Sequence, residues 1–82
     1  MIIKILTPEK KIFEGEAEVL TVPTRSGHIS VLSNHAPLVT AINAGIVTLK
    51  TKEGERVFEN EKGVLKTRNN RTSLLLRKCR EK

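Results

Sequence analysis

The chain has no tryptophan, no tyrosine, and only two phenylalanines, Phe13 and Phe58, among its 82 residues. A large aromatic-lined pocket is excluded, and the core must be filled by Val, Ile and Leu. Aspartate is absent altogether, so acid–base chemistry would fall to Glu or to the two histidines, His28 and His35. The single cysteine, Cys79, rules out an internal disulfide, and no Cys/His cluster has metal-ligand spacing. No apolar stretch approaches the ~18 residues of a membrane span, and no cleavable leader pattern precedes the first apolar run, so a cytoplasmic, soluble chain is expected. Stretches with apolar residues at helical spacing are missing too, which argues against helices.

What is present is positive charge, unevenly placed. The formal net charge is +6. Residues 1–61 hold seven Lys/Arg against eight Glu, whereas residues 62–82 hold eight Lys/Arg against one Glu. Such a patch suits nucleic acid, anionic lipid or an acidic protein face, and composition does not choose among them. At this length the chain is one small domain, burying roughly 60% of its unfolded surface, and a binding partner is the expected source of extra stability.

Short β-type runs separated by turn signals fill the sequence. The spacing predicts strands at 2–6, 11–13, 17–22, 28–32, 38–42, 45–50, 55–59, 64–68 and 72–76. Pro8, Pro23, Glu53-Gly54 and Asn69-Asn70 supply the turns. Connections this short favour antiparallel neighbours, in a sandwich or a barrel. Two runs are apolar on both faces: "AEVLTV" at 17–22, and "ERVFE" at 55–59 through Val57 and Phe58. One face of each should close the core while part of the other is covered by a neighbour. After Leu76 the segment "RKCREK" is short and charged, so residues 1–76 are expected to form the domain and 77–82 a basic, flexible tail.

Catalytic motifs are lacking. None of Ser26, Ser30, Ser33 and Ser73 lies in a nucleophile elbow, and no glycine-rich phosphate loop can be assembled. His35 is readable as a general base or ligand, or as a residue tied to nearby backbone that braces a turn with Pro37, which holds its predecessor extended. The positive neighbours of Cys79 would favour its thiolate if the group is exposed. A small basic β-barrel binding nucleic acid is a rival reading. It requires Lys62, Lys66, Arg68, Arg71 and the 77–82 cluster to line one continuous face, although segment 62–82 has no aromatic for base stacking.

The run from Leu6 to Leu49, with Thr7-Pro8-Glu9, Phe13-Glu14-Gly15-Glu16, Val22-Pro23, Gly27, Val31-Leu32, His35-Ala36-Pro37-Leu38-Val39-Thr40 and Gly45, closely resembles the amino-terminal domain of the epsilon subunit of F-type proton-translocating ATP synthases, called delta in mitochondria. Phe58, Gly63-Val64-Leu65 and Asn70-Arg71-Thr72-Ser73-Leu74-Leu75 continue the likeness more loosely. The resemblance implies an all-β fold, an antiparallel β-sandwich of about ten short strands. It also implies a non-catalytic, cofactor-free central-stalk subunit, peripheral on the cytoplasmic side of the inner or plasma membrane and without membrane insertion, that links gamma to the c ring and couples proton translocation to ATP synthesis. The family's inhibitory helical hairpin is not within residues 1–82. By position in the family fold, Arg25, Ser26, Gly27, His28, Ser33 and Asn34 are expected to face the c ring. Val22, Leu38, Val39, Ile42 and Leu65 are expected to face gamma. The chain departs from the family at Lys62, where a glycine is usual, and at His28 and Ser30, where an acidic residue and a glycine are common.

Overall fold

The computed structural model describes all of residues 1–82. It is a two-layer sandwich of ten strands: β1 (Ile2–Leu6), β2 (Lys11–Glu16), β3 (Val19–Thr24), β4 (Gly27–Leu32), β5 (Leu38–Ile42), β6 (Gly45–Thr51), β7 (Gly54–Asn60), β8 (Gly63–Arg68), β9 (Arg71–Leu76) and β10 (Cys79–Glu81). One sheet has the order β2-β1-β9-β8-β5 and the other β10-β7-β6-β3-β4. All pairs are antiparallel except β1 with β9, where Ile2 lies opposite Arg71 and Leu6 opposite Leu75 in parallel register. That one pair joins the two ends of the chain within a single sheet, an arrangement that local turn signals do not announce.

Period-two alternation builds the core. Ile3, Ile5, Ile42, Leu65, Leu74 and Leu76 point inward from the first sheet. Leu20, Val22, Val31, Val47, Leu49 and Phe58 meet them from the second, all at 2% exposure or less. Each such side chain contributes about 1.5–3 kcal/mol by leaving water. The doubly apolar strands resolve as alternation requires: Leu20, Val22 and Phe58 are inside, while Val19, Thr21 and Val57 are partly exposed on the outer face.

Turn chemistry sets the register. Asn69 and Asn70 both take positive φ, 54° and 61°, closing β8 on β9 with the two left-handed residues that match strand twist. The β3–β4 and β6–β7 hairpins share another device, in which Gly27 (φ 112°) and Gly54 (φ 127°) follow two-residue loops. Thr51 Oγ1 donates to the Gly54 carbonyl at 2.8 Å and accepts from the Glu53 amide at 3.2 Å.

The basic tail does not fray. Cys79 pairs with Asn60 and Glu81 with Phe58, making β10 the edge of the second sheet. Its anchor lies outside the segment: Arg56 Nε and Nη2 donate to the two carboxylate oxygens of Glu81 at 2.7 Å each. The same guanidinium sits 4.7 Å from the Phe13 ring centre, and Phe13 meets Phe58 edge-on at 6.4 Å. The boundary expected after Leu76 is therefore corrected, because residues 79–81 extend the sandwich.

Candidate docking surfaces

The β3–β4 hairpin exposes Arg25, Ser26, Gly27 and His28 at one end of the sandwich. The Asn43 amide donates to the Pro23 carbonyl at 2.9 Å, so the β5–β6 turn shares this end. The β7–β8 and β9–β10 connections are stitched together there as well, through Arg77 N to Lys62 O and Glu61 N to Lys78 O. Ser33 and Asn34 are not beside them. They follow β4, whose six residues span about 20 Å, and so lie at the opposite end, where the Asn34 amide donates to Asn70 Oδ1 at 2.8 Å. The six residues expected to form one contact thus divide into two groups.

His35 lies in the β4–β5 turn. Its amide donates to the Leu32 carbonyl at 3.1 Å, and Nδ1 lies 2.7 Å from the Ala36 carbonyl. Asn34 before it takes φ 64°, and Pro37 leads into β5. Cys79 is half-buried, so the exposure on which the expected thiolate depends is only partial, and burial pushes its thiol up. The widest recess, about 710 Å³, is lined by Glu9, Glu59 and Glu61 mixed with Lys10, Lys78 and Arg80.

Three of the five residues expected to meet gamma are core residues. Val22 and Leu65 are 0% exposed and Ile42 1%, and all three point between the sheets. Leu38 faces the same way, opposite Thr67 and packed partly against the core. Val39 points outward at 66% exposure. Period two separates Val39 and Ala41 from Leu38, Thr40 and Ile42, and the expected set had mixed the two sides of one strand.

The outer face of the first sheet carries exposed apolar residues that the sequence reading did not single out. Register aligns Leu6, Leu75, Val64 and Ala41 in one row across β1, β9, β8 and β5. Leu75 is 53% and Val64 43% exposed. The signal was "LLL" at 74–76: with Leu74 and Leu76 inside, alternation leaves Leu75 out. The next row runs Glu14, Lys4, Ser73, Lys66 and Val39, and beyond it Arg71 lies directly opposite Arg68. On the outer face of the second sheet, Ser30, Thr21, Thr48 and Val57 form an uncharged row, with Thr21 and Ser30 hydroxyls 3.0 Å apart, between rows that carry Lys50 opposite Glu55 and Glu59 opposite Arg80.

The cations do not form the continuous face that the nucleic-acid reading requires. Lys66, Arg68 and Arg71 lie on the first sheet, and Lys62, Arg77 and Lys78 lie at the hairpin end. Arg80 is on the second sheet, paired with Glu59 at 3.0 Å.

Comparison with known proteins agrees with this architecture. The family profile described as "ATP synthase, Delta/Epsilon chain, beta-sandwich domain" matches residues 1–82. The chloroplastic ATP synthase epsilon chain of Tetradesmus obliquus is 37% identical over 73 residues, covering 89% of this chain and 54% of that protein. The chloroplastic epsilon chain of Cyanidioschyzon merolae is 31% identical over 81 residues, covering 99% of this chain and 62% of its own length. A chain in the Euglena gracilis mitochondrial ATP synthase, solved as OSCP/F1/c-ring, superposes with TM-score 0.92 at 17% identity, over 99% of this chain and 52% of that one. A chain of the Tetrahymena thermophila mitochondrial ATP synthase central stalk and c ring gives 0.81 at 13% identity, over 98% of this chain and 65% of that one. The chain thus spans little more than half the length of these curated relatives. With the profile matched from end to end and the ten-stranded sandwich in place, the chain belongs to the beta-sandwich domain family of ATP synthase delta and epsilon chains.

Proposed function

We propose that this chain is the sandwich portion of a central-stalk subunit of an F-type ATP synthase, joining gamma to the membrane c ring and coupling proton flow to ATP synthesis. The observation that carries the reading is the match of the whole chain to the delta/epsilon sandwich family. The role is non-catalytic and needs no cofactor. The subunit works as a peripheral component of the complex on the cytoplasmic side of the inner or plasma membrane. No helix here is long and apolar enough to cross a membrane.

The c ring meets the hairpin end, through Arg25, Ser26, Gly27 and His28. The separation of Ser33 and Asn34 from that end leaves them out of this contact. Isolated rim ion pairs contribute about 0.2–1 kcal/mol each, so complementarity of the exposed hairpin carries most of the contact. Gamma meets the outer face of the first sheet. Three of the four large exposed apolar side chains, Val39, Val64 and Leu75, support that choice, the fourth being Leu32.

Cysteines placed singly at Arg25, His28 and Val39 in the assembled enzyme test the arrangement. Crosslinks from the first two to c and from the third to gamma are expected, and linkage of His28 to gamma but not to c would overturn it. A reconstituted enzyme lacking this chain yet unchanged in assembly and coupling would refute the function itself. The 82-residue polypeptide, added to a gamma-containing catalytic head, should not strongly suppress hydrolysis, because residues 1–82 include no helical hairpin.

A further inference from the structure

The outer face of the first sheet has a charge pattern that its own chain does not neutralise. Arg68 and Arg71 are exposed and directly opposite across β8 and β9, a cross-strand pairing of like charges that is unfavourable. Lys66 projects from the same face two residues before Arg68, about 7 Å along the strand. None of the three has an ion-pair partner, for the four pairs in the molecule are Lys4–Glu14, Lys11–Glu14, Arg56–Glu81 and Arg80–Glu59. The carboxylates on this face belong to edge strand β2. Glu14 is engaged by Lys11 at 2.6 Å. Glu16 lies opposite Ile2, which lies opposite Arg71, two strand spacings or about 10 Å away. That distance is close to the Debye length at physiological ionic strength, about 8 Å, so Glu16 screens Arg71 poorly.

Beside these cations runs the apolar row of Leu6, Leu75, Val64 and Ala41. A surface with adjacent apolar and cationic stripes fits a protein face bearing apolar side chains flanked by carboxylates. A nucleic-acid backbone would use the cations and leave the apolar row wet, and no aromatic lies on this face to stack bases.

We propose that the outer face of β5, β8, β9 and β1 docks an acidic, apolar-edged surface of gamma, with Lys66, Arg68 and Arg71 opposite carboxylates and Val64 and Leu75 in the dry part of the contact. This inference rests on the stalk-subunit reading and adds the chemistry of the partner. Docking relieves the Arg68–Arg71 repulsion, and the cation cluster steers encounter, so association is salt-dependent.

The test is titration of the full 82-residue chain with the gamma subunit of the same enzyme, from about 50 to about 300 mM NaCl, a range over which screening rises steeply. Three variants are compared: a Lys66→Glu/Arg68→Glu/Arg71→Glu triple, the corresponding Gln triple, and Lys50→Glu on the outer face of the second sheet. Thermal unfolding verifies that each is folded. The inference expects affinity to fall with salt, the Glu triple to bind at least about tenfold more weakly, the Gln triple to lie between, and Lys50→Glu to match wild type. If wild type binds gamma but the Glu triple binds equally well, the acidic-partner inference is overturned and the stalk reading stands. If wild type does not bind gamma at all, the stalk reading fails and the inference with it. Binding of wild type to a single-stranded oligonucleotide in preference to gamma, lost in the Glu triple, would assign the patch to nucleic acid and overturn the proposal.

Discussion

At Gly63 the family likeness and the packing meet in one residue. An added Cβ would stand 2.8 Å from Leu76 Cα and 2.9 Å from the Leu75 carbonyl carbon, inside contact distance of backbone that cannot rotate away. Lys62 beside it is exposed. Gly63→Ala should therefore destabilise the domain by about 3 kcal/mol and lower its melting temperature by on the order of 10 °C. Far-UV circular dichroism during heating measures this, and an unchanged melting curve would contradict the close approach. The asparagines make the complementary point: Asn34, Asn69 and Asn70 hold positive φ, and Asn70 spends its side-chain oxygen on the Asn34 amide, tying two turns together.

Among the elements, β10 shows how a distant group rescues a segment that is weak alone. The fork from Arg56 to Glu81 and the stacking of the same guanidinium on Phe13 hold three residues against β7. Truncating Arg56 to Ala removes both contacts. It should cost about 1 kcal/mol through the lost cation–π packing alone and lower hydrogen-exchange protection in β10 ahead of the core strands. Acidity acts on the same latch. Hydrogen bonding from Arg56 holds the Glu81 carboxyl below the usual carboxylate range, as Lys11 does for Glu14. A carboxylate with a lowered folded value stabilises the fold above its unfolded value of about 4.3. That contribution disappears as pH falls through the lowered value. The urea midpoint should thus drop between about pH 5 and about pH 3, with a smaller drop in Arg56→Ala; equal drops would show that the latch does not titrate.

On the scale of the whole molecule, the parallel β1–β9 pair makes completion of the first sheet wait for both ends of the chain. Local hairpins form early, but closing this sheet orders nearly the entire polypeptide. Folding of the isolated domain is expected in the milliseconds-to-seconds range typical of non-local β topologies, which stopped-flow circular dichroism measures in a chain with no tryptophan or tyrosine. Relaxation in microseconds would contradict the topology. The two outer faces also diverge at this scale. One is uncharged along Ser30, Thr21, Thr48 and Val57, and the other is cationic beside an apolar row.

The nine strands from Ile2 to Leu76 were legible because β-branched runs, period-two alternation and turn residues such as Asn69-Asn70 are local signals. The resemblance around His35-Ala36-Pro37 likewise pointed to the family from consecutive residues. β10 was not legible, because its stability comes from Arg56 and from pairing with β7 rather than from the composition of residues 77–82. The interface assignments suffered in the same way. Val22, Ile42 and Leu65 are apolar in the sequence whether they face a partner or the core, and only the stacking of two sheets put them inside. Ser33 and Asn34 are near Arg25 in number but a strand's length away in space. The row of Leu6, Leu75, Val64 and Ala41 with its neighbouring cations exists only once four strands align. Local composition therefore determined which segments are extended and which family they belong to. The parallel closure of the chain ends, the latch on β10 and the face shown to a partner were decided by tertiary pairing, since each depends on residues that meet only after the chain has crossed between sheets.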